Sequence, residues 1–285
     1  MLSTTLSLRI ARRRTILTMT FCKEGFRLLA AKPIVAAQLY TIRAFTSTAE
    51  ALDTSLAKIR NIGYTAIQIS AIGPIPPDEV KRLVDRHHLQ ICCTHIPWSR
   101  LTNDLPAVIQ EHKLWDCLHV AVGSMPREYR DLGLDGFVRF AHEAATVGQR
   151  LRDAALTFSY HNHAFEFQHF GQRTGLDLIY ETADPRSLFA EIDTYWVQFG
   201  GGDPAAWIDR LAGRQVIVHL KDMTFADGQP QMAEVGHGNM NFPGILAACE
   251  RAGVTFAAVE QDICQRDPFE SLAMSYTYLK GQGLQ

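Results

Sequence analysis

The sequence predicts an α/β protein built as a single (β/α)8 TIM barrel, on three observations. Short apolar strands alternate with amphipathic helices eight times between Pro33 and the C-terminus. That stretch, about 250 residues, is the usual size of such a barrel. The strands also end repeatedly in imidazole or carboxylate side chains, namely His95, His161, Asp193, His219 and Glu260. A barrel gathers all its strand ends on one face, where such folds keep their chemistry. The alternative is an open doubly wound sheet, but no Gly-rich phosphate turn follows the first strand.

Each element has a local reason. Ile34 to Leu39 is a short apolar strand, and the helix after it carries Leu52, Leu56 and Ile59 on one stripe before Gly63 stops it. Ala66 to Ile69 is the second strand, with Gln68 polar inside a buried run, and Pro76-Pro77-Asp78 opens the next helix. Leu89 to Thr94 is the third strand and ends at His95; a helix from about Leu105 to Trp115 leads to the fourth, Leu118 to Val122. The longest helix follows Asp135, with Phe137, Phe140, Ala141, Ala144 and Leu151 inward. It feeds a fifth strand reading SYHNH, and after Gly175 a short helix reaches Ala183. Leu188 to Ile192, Gln215 to Val218 and Val254 to Val259 complete the strands; Asp203-Pro204 caps one intervening helix, and a longer loop carries EVGHGN before another. A final helix runs from about Pro268 to Leu279.

Composition narrows the function classes. A net charge of −2 argues against a nucleic-acid partner bound by bulk electrostatics. No apolar run approaches the roughly 20 residues of a membrane helix. The six cysteines lack metal-knuckle spacing, and Cys92 and Cys93 should point to opposite faces of a strand. Reduced thiols in a cytoplasmic protein are therefore expected. A homo-oligomer is compatible with the composition.

Residues 1–31 fall outside the repeating pattern. Arg12-Arg13-Arg14 followed by TILTMTFC looks like a truncated export signal, but the apolar segment ends at Cys22-Lys23-Glu24 without a small-residue cleavage site. The expectation is a disordered or loosely docked extension from an upstream start codon, with Met19 as the true start and the barrel spanning 32–285. Twin-arginine export is the alternative.

The chemistry centres on Ser159 to Phe167, SYHNHAFEF. Alternation places His161 and His163 on one side of the strand and Asn162 on the other. Asp193, His219 and Glu260 each follow an apolar run; a helix cap, a satisfied core histidine and an ion pair with Lys221 are their ordinary structural roles. Together they form a set of nitrogen and oxygen donors that suits Mn²⁺, Zn²⁺, Co²⁺ or Fe²⁺ better than Mg²⁺ or Ca²⁺. Lys221 and Glu166 would support the ligands or meet substrate.

In order along the chain, QLYTIR, YHNHAFEF, EIDTYW, HLKDM, EVGHGN and VEQD resemble the sugar phosphate isomerase/epimerase family of xylose-isomerase-like barrels. The YHNH motif also resembles inosose dehydratases and enzymes of keto sugars. The resemblance implies one divalent metal, Mn²⁺ first, held by His161, Asp193, His219 and Glu260. It implies a small sugar or cyclitol substrate and proton transfer next to a carbonyl. Glu260, His163, His95 and Lys221 are its catalytic candidates; Gln38, Gln68, Glu166, Trp196 and Glu234 are its substrate-binding candidates. Many relatives have Glu where His161 stands, Glu where Gln68 stands and His where Trp196 stands. The loss of a carboxylate at His161 leaves a lyase or hydratase as the close alternative to an isomerase or epimerase. An endonuclease-IV-like nuclease or a non-catalytic sugar-binding barrel are the remaining readings.

Overall fold

Strand alternation decides which residues meet inside the protein. The computed structural model describes residues 32–285; the extension expected over 1–31 lies outside the described residues. Eight parallel strands form one sheet: β1 Ile34–Gln38, β2 Ala66–Ile69, β3 Gln90–His95, β4 His119–Val122, β5 Thr157–His161, β6 Phe189–Glu191, β7 Ile217–Leu220 and β8 Phe256–Val259. Their order is β6-β5-β4-β3-β2-β1-β8-β7, and the bridges Ala190↔Gln215 and Asp193↔His219 join β6 to β7 and close the ring. The predicted (β/α)8 barrel is what the chain forms.

The eight helices that follow the strands are Ala49–Ile62, Pro77–Arg86, Leu105–Leu114, Leu134–Asp153, Gly175–Thr182, Pro204–Arg210, Phe242–Ala252 and Pro268–Gly281. Their starts follow the expected chemistry. Asp203 accepts hydrogen bonds from the backbone N–H groups of Ala205 and Ala206, with Pro204 next to it. Two excursions escape a strand-helix reading. The loop after β7 contains the hairpin Asp222–Ala226/Gln229–Ala233, and His169–Phe170 pairs with Arg173–Thr174 after β5.

Packing divides along the strand period. Outward residues such as Val35, Ile67, Val120, Phe158, Ala190, Val218 and Val259 join the core beneath the helices. Inward residues form a smaller cluster that includes Ala36, Ala66, Ala121, Ile217, Phe256 and Ala258. Two residues further along their strands, the same inward columns carry Gln38, Gln68, His219 and Glu260.

Cys92 and Cys93 correct one expectation: both belong to the inner cluster rather than opposite faces. The cause is a bulge, because Ile67 pairs with Ile91 but Gln68 pairs with Cys93, leaving Cys92 as the extra residue. The extra residue shifts the alternation of β3, and His95 thereby shares the inward side with Gln68. Among the described cysteines none is paired, and all but Cys264 are buried.

The Leu134–Asp153 helix passes in close backbone contact with the segment that leads into β6. A Cβ on Gly148 would overlap the Ser187 carbonyl oxygen, which is backbone and cannot turn away. Gly148→Ala gains about 1 kcal/mol of helix propensity, but overpacking typically costs about 1–3 kcal/mol. The variant is expected to be less stable in urea unfolding; equal or greater stability would show that the helix can shift outward freely.

Candidate metal and substrate site

Four strand ends build one cluster. His161 ends β5, Asp193 lies two residues past β6, His219 lies within β7 and Glu260 follows β8. One donor atom from each lies within 4.8 Å of the others, and all four residues are buried. This cluster could hold a metal ion.

The orientation of each donor is fixed locally. His161 Nδ1 donates to the Gly123 carbonyl at 3.0 Å, which turns Nε2 to within 3.2 Å of Asp193 Oδ2. Asp193 divides its oxygens between two jobs. Oδ1 caps the Thr194–Phe199 helix by accepting from Trp196 N at 2.9 Å, and Oδ2 faces the cluster. Asn162, turned away from His161, accepts the Asp193 backbone N–H at 3.0 Å and ties β5 to the β6 end. His219 Nδ1 is 2.9 Å from Glu260 Oε2.

Lys221 supplies the counter-charge. Its amine is 3.0 Å from Asp193 Oδ2, 2.8 Å from Glu260 Oε2 and 3.1 Å from Asp262 Oδ2. The carboxylates thus already converge on a cation, as ligands of a divalent ion must, and the donor chemistry fits one. Burial opposes ionisation of Asp193, but Lys221 and His161 outweigh it and hold the carboxyl at about 2. Glu260 likewise lies well below the carboxylate range against its burial, owing to Lys221 and His219. Burial alone would lower His219, yet Glu191 and Glu260 together lift it to about 10.

Glu191 is the group that sequence reasoning passed over. It is 0% exposed, and Oε1 accepts from Gln68 Nε2 at 2.6 Å. The same oxygen is 2.5 Å from His219 Nε2 and 3.2 Å from His95 Nε2. The available signal was its i,i+2 relation to Asp193, which puts both carboxylates on the inward face of one strand. Asp262, which meets Lys221, was likewise not singled out.

A cavity of about 440 Å³ opens beside the cluster, and its lining includes Tyr40, Ser70, His95, Trp98, Gly123, His161 and His163. His163 lies beyond the end of β5, so its nearness to His161 arises from the loop and not from strand alternation. Burial, with His161 and Lys221 close by, depresses its imidazole to about 3. Its Nδ1 is buried without a partner among the described residues. Trp196 is close by, with ring centroids 5.4 Å apart, and Lys221 Nζ lies 5.6 Å from the Trp196 ring centre.

The other expected substrate groups divide. Gln38 caps Tyr40 N through Oε1 while Nε2 has no partner among the described residues. Gln68 spans Glu191 and His219, with Oε1 2.7 Å from His219 Nε2. Glu166 accepts from Tyr160 Oη at 2.5 Å and from His163 N at 2.9 Å, beneath the loop. Glu234 is not brought to the cluster: it accepts from Arg266 Nε at 3.0 Å and Ser271 Oγ at 2.8 Å. The EVGHGN loop around it is organised by Asp222, whose Oδ2 accepts from Gly236 N at 2.9 Å and Gly238 N at 3.0 Å.

Comparison with known proteins agrees with the barrel fold. The family model of the xylose isomerase-like TIM barrel matches residues 56–262. No curated protein sequence matches the chain. A solved sugar phosphate isomerase/epimerase from Parabacteroides distasonis is similar over 90% of this chain and 97% of its own, with 22% identity and a TM-score of 0.69. A solved L-ribulose 3-epimerase aligns over 89% and 94%, at 17% identity and a TM-score of 0.63. A probable 3-DHS dehydratase involved in petrobactin synthesis, from Bacillus anthracis, aligns over 86% and 98% at 12% identity and a TM-score of 0.64. At these identities the structural likeness establishes the fold. Among the described residues no helix is long and apolar enough to cross a membrane.

Glu166 makes stability depend on pH. Burial pushes its carboxyl up to about 7, only partly offset by Tyr160 and the His163 N–H, against about 4.3 in an unfolded chain. Between those values the folded protein keeps a proton that the unfolded chain has lost, so stability falls as pH rises and levels off above the folded value. The drop is about 4 kcal/mol. Glu166→Gln should remove this component of the slope in urea unfolding from pH 5 to 8. An unchanged slope would mean that Glu166 is ionised throughout.

Proposed function

The chain belongs to the xylose isomerase-like TIM barrel family, and from that premise we propose a divalent-metal-dependent sugar isomerase or epimerase that moves a proton next to a carbonyl. The observation that carries this reading is the convergence of His161, Asp193, His219 and Glu260 from four strands onto one buried point. Those four residues would hold the ion, Mn²⁺ first, with Zn²⁺, Co²⁺ or Fe²⁺ as alternatives. Bound there, a divalent ion supplies Lewis-acid polarisation of a substrate oxygen. The solved relatives whose names record epimerase activity support the reaction class.

The remaining roles fall to the chain's own groups. His95 and His163 line the cavity, whereas Glu260 is tied to Lys221 and His219. That contrast favours an imidazole as the base that accepts the carbon-bound proton, His95 before His163 because His163 is held at about 3, with Glu260 holding the ion. Lys221 offsets negative charge developing on oxygen. Gln38 Nε2 and Trp196 Nε1, buried donors without partners among the described residues, suit substrate hydroxyls. Asp193, Glu191, Glu260 and Asp262 face Lys221 or the histidines as an anionic set, which suits an uncharged sugar or cyclitol better than a phosphate dianion.

A second reading, elimination or hydration on a keto sugar or inosose, has a specific observation behind it. Where many relatives have a glutamate, His161 gives both ring nitrogens to Gly123 and to the cluster, so no lone pair remains for a second base. A lyase needs only one base and one acid. The dehydratase named among the solved relatives accords with this.

Two measurements test these proposals. Elemental analysis should find about one divalent ion per chain, because one four-donor site is present among the described residues and the three-donor group His95, Glu191 and His219 shares His219 with it. His219→Ala should lose metal and activity together while circular dichroism still reports a folded barrel; full activity without metal would sink the reading. Incubating the Mn²⁺- or Co²⁺-loaded protein with free ketohexoses, inosose and 3-keto glycosides in deuterated water distinguishes the two reactions by NMR. Epimer interconversion with deuterium at the inverted carbon is expected, and a dehydrated product would establish the lyase instead.

A further inference from the structure

We infer that Glu191 is a positioning residue that sets two imidazoles at once, turning His219 Nδ1 toward the cation cluster and His95 Nδ1 toward the cavity; in its first half this rests on the proposed metal site. The carboxylate is fully buried, and its Oε1 stands 2.5 Å from His219 Nε2 and 3.2 Å from His95 Nε2. Carboxylate and amide oxygens can only accept, so Nε2 carries hydrogen on both rings: His95 gives it to Glu191 Oε1, and His219 gives it to Gln68 Oε1 beside the Glu191 charge. Each ring then presents its other nitrogen elsewhere. His219 Nδ1 lies 2.9 Å from Glu260 Oε2 and 3.8 Å from Asp193 Oδ2, inside the candidate ligand set. His95 Nδ1 lies beside Gly123, where a Cβ would crowd it at 2.8 Å, and both residues line the cavity.

The neighbourhood holds this arrangement in register. Gln68 donates to Glu191 Oε1 at 2.6 Å and turns its own oxygen to His219 Nε2 at 2.7 Å, so the amide reinforces the same ring orientation. The two imidazole rings are stacked, with centroids 5.3 Å apart and an interplanar angle of 18°, which lets one carboxylate reach the same nitrogen of each. The bulge at Cys92 puts His95 on the inward side, and the pairing of His161 with Glu191 sets the carboxylate level with His161 and two residues before Asp193. A carboxylate behind a metal-binding histidine fixes its tautomer, and losing such a partner usually costs about 10–100-fold in metal affinity. Here the same carboxylate also anchors an imidazole of the cavity wall.

The test uses the full-length protein with ¹⁵N-labelled histidine. NMR of the wild type should show hydrogen-bonded, downfield ring protons on Nε2 of both His219 and His95. Either ring lacking a proton on Nε2 overturns the inference, and this measurement needs no variant to fold. Glu191→Met keeps length but removes the acceptor. It should lose the His95 downfield resonance, shift that of His219, whose Nε2–H keeps Gln68 Oε1 as acceptor, and weaken Zn²⁺ binding in calorimetry about 10–100-fold. Glu191→Gln, which keeps an acceptor, should retain ring protons on Nε2 and recover part of the affinity. A Glu191→Met protein that melts earlier yet keeps both resonances and wild-type affinity would make Glu191 merely structural and overturn the proposal. Wild-type protein that binds no Zn²⁺ would sink the metal-dependent function, while the ring-proton result would still decide the role of Glu191.

Discussion

Lys221 is 1% exposed, and its amine meets three carboxylates, those of Asp193, Glu260 and Asp262. Burying this much charge is tolerable only when every charge is matched, since removing one partner of a buried pair typically costs about 3–5 kcal/mol. The rest of the site is arranged around that demand. Asp193 also caps a helix, Glu260 also meets His219, and Glu191 is surrounded by two imidazoles and an amide. Four carboxylates, those of Asp193, Glu191, Glu260 and Asp262, set against one amine and the raised imidazole of His219, leave the cluster suited to receive further positive charge. That is the physical basis for reading it as a cation site rather than as a set of incidental ion pairs.

The barrel makes such a cluster affordable by separating it from the core that stabilises the fold. Large apolar residues are concentrated beneath the helices, while the interior below the site is mostly small residues such as Ala36, Ala66, Ala121 and Ala258, with Ile217 and Phe256 among them. Polar side chains one strand period higher can then converge without displacing the main hydrophobic core. Substitutions at the rim and in the wall should consequently act on different properties, chemistry in the first case and stability in the second.

Irregular backbone aims the groups that regular alternation would not. The Cys92 bulge brings His95 inward, and the turn after β5 returns His163 toward His161 with ring centroids 5.0 Å apart. Asp222, next to the buried lysine, spends both oxygens on backbone N–H groups and holds the loop over this side of the barrel. The motif HLKD thus combines a ring facing the cluster, a compensating amine and a loop anchor within four residues.

How much of this was legible beforehand follows from what is local. Eight apolar runs with helix stripes between them, stopped at Gly63 and Gly253 and started at the Asp203-Pro204 cap, are local patterns, and the sequence by itself determined the barrel and the strand ends that carry His161, Asp193, His219 and Glu260. Pairing across the barrel is not local. That Glu191 would reach Gln68, 123 residues away, and that Asp262 would join Lys221 depend on barrel closure and on how far each side chain extends inside it. The faces of Cys92 and Cys93 depended on a bulge visible only once β2 and β3 are paired. Alternation along one strand can say which residues point inward; only the tertiary structure decided which of them touch, because strand register and closure are properties of the whole ring.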